Sequence, residues 1–422
     1  MKNFLILFSF FIISTGTLSA YDAENIAVVP DTSNSVSGLM GAICMEAGKQ
    51  FYMEHDDVFD GLIVFTTKNP ALNVQQGVHI QKTAKNIGID TAAYGPPSKF
   101  GSSGYLKQCA RAINIDMYPD DPDQIMPMYH ISGVELLAHE YGHHWMAAIE
   151  YRPEGENEDL HYLRGWQNDK ANWHWSYYMN SGPSVMYGNT FTDNGDGTFT
   201  ITGGDRKFSQ LDQYLMGLRA AEDVEPFFYL WKDEDIYKSG SGAMPLAKGN
   251  SNVYEEWEKR TVTIEDVIRA MGEREPSAHE AQHDFRIAFI ILHPPGQPPM
   301  DHQIAKAETY RQRWTEWWEW ATDYNSRMCT KLTGECWVDE EENDADNGEY
   351  PDEDVDESET PDNDTGDYDE TEVPDEKDNS NVDDETLQDE ETTDTSYPDY
   401  NETNDSVEIT EDETGCSCST II

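Results

Sequence analysis

The chain has 422 residues and a formal charge of −54, from 28 Lys and Arg against 82 Asp and Glu. So acidic a chain repels nucleic acid and anionic lipid, which argues against polyanion-binding roles and leaves cations as its electrostatic partners. The charge is uneven: residues 338–414 hold 36 acids against Lys377 alone, a balance of −35, and the remainder holds 46 acids against 27 bases, or −19.

Residues 1–20 read as a secretory signal, with Lys2 as the positive start, an apolar run from Phe4 to Ile13 and a small-residue cleavage site at Leu18-Ser19-Ala20. A run of about ten apolar residues is half of what a membrane span needs, and the mature chain is expected to contain no span. The expected localisation is therefore secreted or cell-surface. In such an oxidising space Cys44, Cys109, Cys329 and Cys336 are expected to form two disulfides, in one of three pairings. No paired C-x-x-C knuckles suggest a zinc ribbon instead.

From about residue 22 to 337 the composition is that of a folded protein. Ser37 to Asp56 has a helical pattern, Val58 to Thr67 reads as a buried strand, and Val78 to Thr83 as another. The segment 88–104 is dense in Gly, Pro and Ser and predicts a loop. Ile131 to Glu150 repeats apolar residues at spacings of three and four, with Ser132 and Glu135 forming a capping box at its start. Phe191 to Ile201 predicts a hairpin with its tip at 194–197, and Ser209 to Leu218, Ile264 to Met271, His279 to Ile291 and Tyr310 to Tyr324 predict helices. Beyond Val338 there is too little apolar side chain to offset ordering entropy, so 338–414 is expected to be a disordered, self-repelling stalk.

The helix predicted over 131–150 carries His139-Glu140-Tyr141-Gly142-His143. On a helix the two histidines lie one turn apart on one face and both can reach a tetrahedral zinc ion. Glu140 would then stand beside the open metal position as general base for a metal-bound water, the logic of peptide-bond hydrolysis. A third ligand is needed. His174 is one candidate, and Asp212 on the predicted helix 209–218 is its rival, although Ser209 and Asp212 also make a capping box. His161 is an outsider. The run Asp193-Asn194-Gly195-Asp196-Gly197 offers oxygen ligands for Ca2+ at short spacing but is favoured as a turn.

The HExxH helix resembles the zincins. His174 followed by Ser184-Val185-Met186-Tyr187-Gly188 is similar to the closing half of a metzincin site, where a third His precedes a tight turn whose Met packs under the metal. The strict metzincin spacing is not kept, since positions 146 and 149 are Met146 and Ile149. The segments VFDGLIVFT, LAHEYGHHW, HWSYYMNSGPSVMYGN, LDQYLMGL and DFRIAFIIL look like those of a group of exported bacterial metalloproteases. That resemblance implies an α+β zincin-like catalytic domain, a zinc endopeptidase acting on protein or peptide, and Tyr187 or Tyr214 as oxyanion support beside the Met-turn residue Met186. Gly415-Cys416-Ser417-Cys418 resembles the start of a surface-sorting signal, without its apolar and basic parts.

The expected organisation is a signal at 1–20, a catalytic domain at 21–260, a helical subdomain at 261–337, the acidic stalk at 338–414 and the Cys motif at 415–422. The competing reading is a surface-displayed binding or adhesion protein whose metal is structural or incidental. A structural site closes on protein ligands, and a catalytic one keeps water in its fourth position.

Overall fold

The computed structural model describes residues 19–38, 41–71, 73–87, 94–126, 131–146, 149–155, 161–163, 174–182, 184–232, 246 and 248–337, and all of them fall in one compact unit. The expected signal up to residue 18, most of the segment between Tyr151 and His174, the acidic stalk and Cys416 and Cys418 lie outside the described residues.

The strands in chain order are β1 (Tyr21–Ala23), β2 (Ile26–Pro30), β3 (Gly61–Thr66), β4 (Gln76–His79), β5 (Gln108–Asn114), β6 (Ile125–Met126), β7 (Ile131–Ser132), β8 (Glu150–Tyr151) and β9 (His161–Tyr162). They continue with β10 (Trp175–Asn180), β11 (Tyr187–Asp193), β12 (Thr198–Thr202), β13 (Phe227–Trp231), β14 (Ser251–Glu255), β15 (Glu258–Val262), β16 (Asp284–His293) and β17 (Arg327–Cys329). One sheet runs β1-β2-β16-β3-β5-β4, with β17 beside β16; a second runs β14-β12-β11-β10-β13-β15. Strands β2, β16, β3 and β5 are mutually parallel, while β1 and β4 close the edges antiparallel.

The first sheet is covered on both faces, as a parallel sheet must be. Successive residues of β3 point to opposite sides: Leu62 and Val64 join a core with helix α1 (Ala42–Phe51), and Ile63 and Phe65 join the larger core. That larger core contains helix α2 (Gly133–Gly142) and the helix Asp301–Ala321, whose Trp314 and Trp318 meet Tyr141 of α2 edge to face. At Gly133 a Cβ would sit 2.2 Å from the Tyr310 hydroxyl, so only glycine allows α2 this close. The result is an α+β fold of mixed helices and sheets.

Two expectations need correction. The stretch predicted as a helix over 279–291 is strand β16, in the middle of the first sheet, so part of 261–337 is woven into that sheet. A strand buried on both faces is an unbroken apolar run, here Ile287 to Leu292, and periodicity cannot separate it from a buried helix. The active helix also stops at Gly142, well before Glu150, although the apolar spacing continues. Glycine is the weakest helix former in that stretch apart from proline, which is absent from it.

The disulfides are Cys44–Cys109, joining α1 to β5 across 65 residues, and Cys329–Cys336, joining β17 to the loop after it. Closing a loop of that length restricts the unfolded chain by about 4 kcal/mol. Replacing Cys44 and Cys109 together by Ala is expected to lower the unfolding free energy by roughly that amount in a denaturant titration. The Cys329 to Cys336 loop is far shorter and should matter less.

Candidate metal centre

Helix α2 starts where the sequence predicts, on a capping box: the Glu135 amide donates to Ser132 Oγ at 3.3 Å and the Ser132 amide to Glu135 Oε2 at 2.7 Å. The other Glu135 oxygen accepts the Arg206 amide at 2.7 Å, and the buried Arg206 guanidinium donates to the carbonyls of Ser184 and Gly188. The N-terminus of α2 is thereby tied to the turn at 184–188. That turn is tight, with Tyr187 at φ 70° and Gly188 at φ 68°. A tyrosine in the left-handed region is uncommon and is held there by its surroundings.

His139 lies in the last turn of α2, and His143 at its C-cap is still in right-handed helical geometry. His174 immediately precedes β10. These three bring one ligand nitrogen each to within 4.8 Å of one another, and among the described residues they form the one group of three or more His, Cys, Asp or Glu able to hold an ion. His139 Nε2 is 3.0 Å from His174 Nε2 and 3.2 Å from His143 Nε2. Its other nitrogen, Nδ1, lies 2.7 Å from the Val185 carbonyl, which can only accept, so Nδ1 carries the proton and Nε2 presents a lone pair to the other two rings. His139 and His174 are buried and His143 is half-buried. Burial holds all three imidazoles below the ordinary histidine range, His139 at about 4, so that at neutral pH they are uncharged, the form in which imidazole binds metal.

The neighbours of this cluster are fixed by close packing. The Tyr187 ring lies 4.7 Å from that of His139 and 4.6 Å from that of His174. Met186 is buried against Gly142, where a Cβ would stand 2.8 Å from its sulfur. Strand β4 crosses the end of α2 at Gly77, where a Cβ would meet the Glu140 carbonyl oxygen at 2.4 Å and His143 Cβ at 2.7 Å.

The remaining residues singled out from sequence are placed elsewhere. Asp212 gives the cluster no ligand atom; its carboxylate is wholly buried and accepts from Trp175 Nε1, Ser184 Oγ and the Ser209 amide, the last as a capping box. Tyr214 accepts the Arg274 amide through its hydroxyl at 3.1 Å. His161 stacks on Tyr151, their rings 5.1 Å apart. The run 193–197 is the tip of the β11–β12 hairpin, where Asp193 accepts the Gly195 amide and pairs with Lys259 and Asp196 Oδ1 accepts from the Thr198 amide and hydroxyl, as a turn requires.

Glu140 also contributes no ligand atom to the cluster. Its carboxyl is buried and accepts a hydrogen bond from the Gly77 amide; burial pushes it up to about 8, against the opposing pull of that bond and of Arg111. In the metal-free protein burial therefore favours the protonated form of this carboxyl.

Fold and site together define an α+β protein with a three-histidine cluster, two of its rings buried and one half-buried, as its candidate metal centre. No protein-family model matches the sequence, and no curated protein or solved structure matches it either. These findings correct the reading drawn from the HExxH motif. The zincin resemblance is supported by no family, relative or structure, and the centre that forms is a set of three imidazoles with Glu140 outside it. The assignment as a zinc endopeptidase or any other metalloprotease is accordingly withdrawn. Among the described residues no helix is long and apolar enough to cross a membrane.

Proposed function

We propose that this chain is an exported, surface-displayed binding protein whose folded unit holds one divalent transition-metal ion on His139, His143 and His174 as a structural link. The observation that carries the reading is the convergence of three Nε2 atoms with the His139 tautomer fixed by Val185. A metal-bound histidine usually donates its other ring N–H to a carbonyl or carboxylate, the role that the Val185 carbonyl fills here. Zinc bound to nitrogen at 2.0–2.1 Å in a tetrahedron separates its ligands by about 3.3 Å. The separations of 3.0 and 3.2 Å at His139 are close to that. Imidazole also serves copper, nickel and iron, but zinc has no redox chemistry and stays divalent in an oxidising space.

Export is supported by the signal-like start and by two disulfides. The acidic segment 338–414 serves in this reading as the spacer that carries the folded unit away from the cell, with the Cys motif at its end as the attachment point. The ion links α2, which packs on the first sheet, to the start of β10 in the second. Three imidazoles leave a tetrahedral ion one position. In this reading a donor atom of the bound partner, reaching in past the half-buried His143, closes that position, as a structural site requires.

The zinc-loaded protein is expected to leave casein and a peptide library uncut, and Glu140→Gln to behave identically. Metal-dependent cleavage that disappears in Glu140→Gln would overturn the structural reading.

A further inference from the structure

The buried carboxylate of Asp212 is the point at which the supports of two metal ligands meet. One of its oxygens accepts Trp175 Nε1 at 2.7 Å; the other accepts Ser184 Oγ and the Ser209 amide, each at 2.7 Å. Trp175 follows His174 directly in the chain. Ser184 precedes Val185, whose carbonyl fixes the His139 tautomer. The same network locks the two segments to each other, since Ser184 Oγ accepts the Met186 amide at 2.9 Å and the Trp175 amide donates to the Met186 carbonyl at 3.0 Å. A carboxylate at zero exposure is costly unless donors surround it, and charge-assisted bonds to three donors on three segments are the strong kind.

Resting on the reading that the three imidazoles hold a metal, we propose that Asp212 is the positioning residue of that centre, holding His174 and the Val185 carbonyl in register without touching the ion. The capping box with Ser209 explains one of the three bonds; the other two reach away from helix α3 (Gln210–Met216) to the metal site. Asparagine cannot substitute. Whichever way its amide is turned, the NH2 group faces an N–H donor, either Trp175 Nε1 or the Ser209 amide.

The test is a zinc-affinity titration of the full chain with a chelating competitor, together with the visible spectrum of the cobalt-substituted protein. Asp212→Asn should weaken zinc binding by about 10- to 100-fold, the usual effect of losing a partner outside the ligand set. It should also alter the cobalt spectrum. Asp31→Asn is the control: Asp31 is another buried carboxylate, bonded to the Ser35 and Val36 amides beside the other core, and its loss should lower the melting temperature without changing affinity or spectrum. Equal affinity and spectrum in wild type and Asp212→Asn would overturn the positioning role and leave the metal site standing, whereas a wild type that binds no metal would overturn both. Should Asp212→Asn fail to fold, Ser184→Ala and Trp175→Phe each remove one bond to the same carboxylate. Unchanged affinity in both would overturn the proposal, and a smaller loss in each would support it.

Discussion

Removing the metal is expected to lower the melting temperature of the wild-type protein by several degrees and to leave that of His174→Ala unchanged. An ion that binds only the folded state adds RT ln(1 + [M]/Kd), about 4 kcal/mol when free metal is a thousandfold above Kd. For a domain of this size a kcal/mol is worth roughly two degrees. The effect depends on all three imidazoles, because His174 directly precedes β10 of the second sheet while His139 and His143 lie in the last turn and at the C-cap of α2. Losing His174 opens the link between them, and chelator should then have nothing to remove. Differential scanning calorimetry of both proteins, with and without chelator, checks this. The effect should also be local, with amides of β10 and β11 exchanging faster in the chelated wild type and no change at the α1 side of the first sheet.

The second large effect is on acid stability. His139 and His79 are each held at about 4 in the folded protein, by burial first and then by the nearby cations Arg206 and Lys82 respectively. His143, His144 and His174 are displaced in the same direction, again by burial first. At His139 and His79 the unfolded chain takes up the proton near pH 6.5 and the folded one resists until about pH 4. Between those values the unfolded state binds more protons at these histidines, so their contribution is complete above about pH 6.5 and falls as the pH drops toward 4, while Glu140, raised to about 8 by burial, contributes in the opposite sense as the pH falls below 8. His139 alone is worth about 3 kcal/mol over that window, taken as an order of magnitude. Protons also compete with metal for Nε2, so bound metal should be released over an acid range, at lower pH the tighter it is held. Urea unfolding of the metal-free protein from pH 7 to pH 4 measures the first effect. Because Glu140 opposes the histidines, the same titration is made on Glu140→Gln, and a midpoint flat across that range there would show that these histidines are not buried as described.

Much of this centre was legible in the sequence, for identifiable reasons. The start of α2 was written in Ser132 and Glu135, and the helix Ile264–Met271 has the predicted limits because its Thr263 cap, its apolar spacing and Gly272 agree. The pairing of His139 with His143 follows from helical geometry once the helix is accepted. The third histidine was harder to read, because His174 comes from outside that helix and is brought back by strand pairing between Trp175 and Tyr187. Asp212 was its rival in sequence, with helix capping the default for it, and in the structure its carboxylate accepts from Trp175 and Ser184 and gives the cluster no ligand atom.

The function was misread for a related reason. HExxH specifies residue types and spacing, but what Glu140 does depends on its surroundings, here the Gly77 amide and a buried setting that raises its carboxyl to about 8 in the metal-free protein. Strand β16 was read as a helix because Ile, Phe and Leu in one run satisfy either period when both faces are buried. Strand β13, Phe227–Trp231, is an aromatic run of strand-forming character, whereas β14 and β15 are mostly polar and take their form from pairing in the second sheet, which no local pattern announces.

The most direct measurement is transition-metal content by inductively coupled plasma mass spectrometry, made on the purified wild type and on a variant with His139, His143 and His174 all replaced by Ala. One equivalent of zinc per wild-type chain and none in the variant is the predicted result. A wild type that retains no metal after incubation with zinc and desalting, or a variant that retains as much, would contradict it.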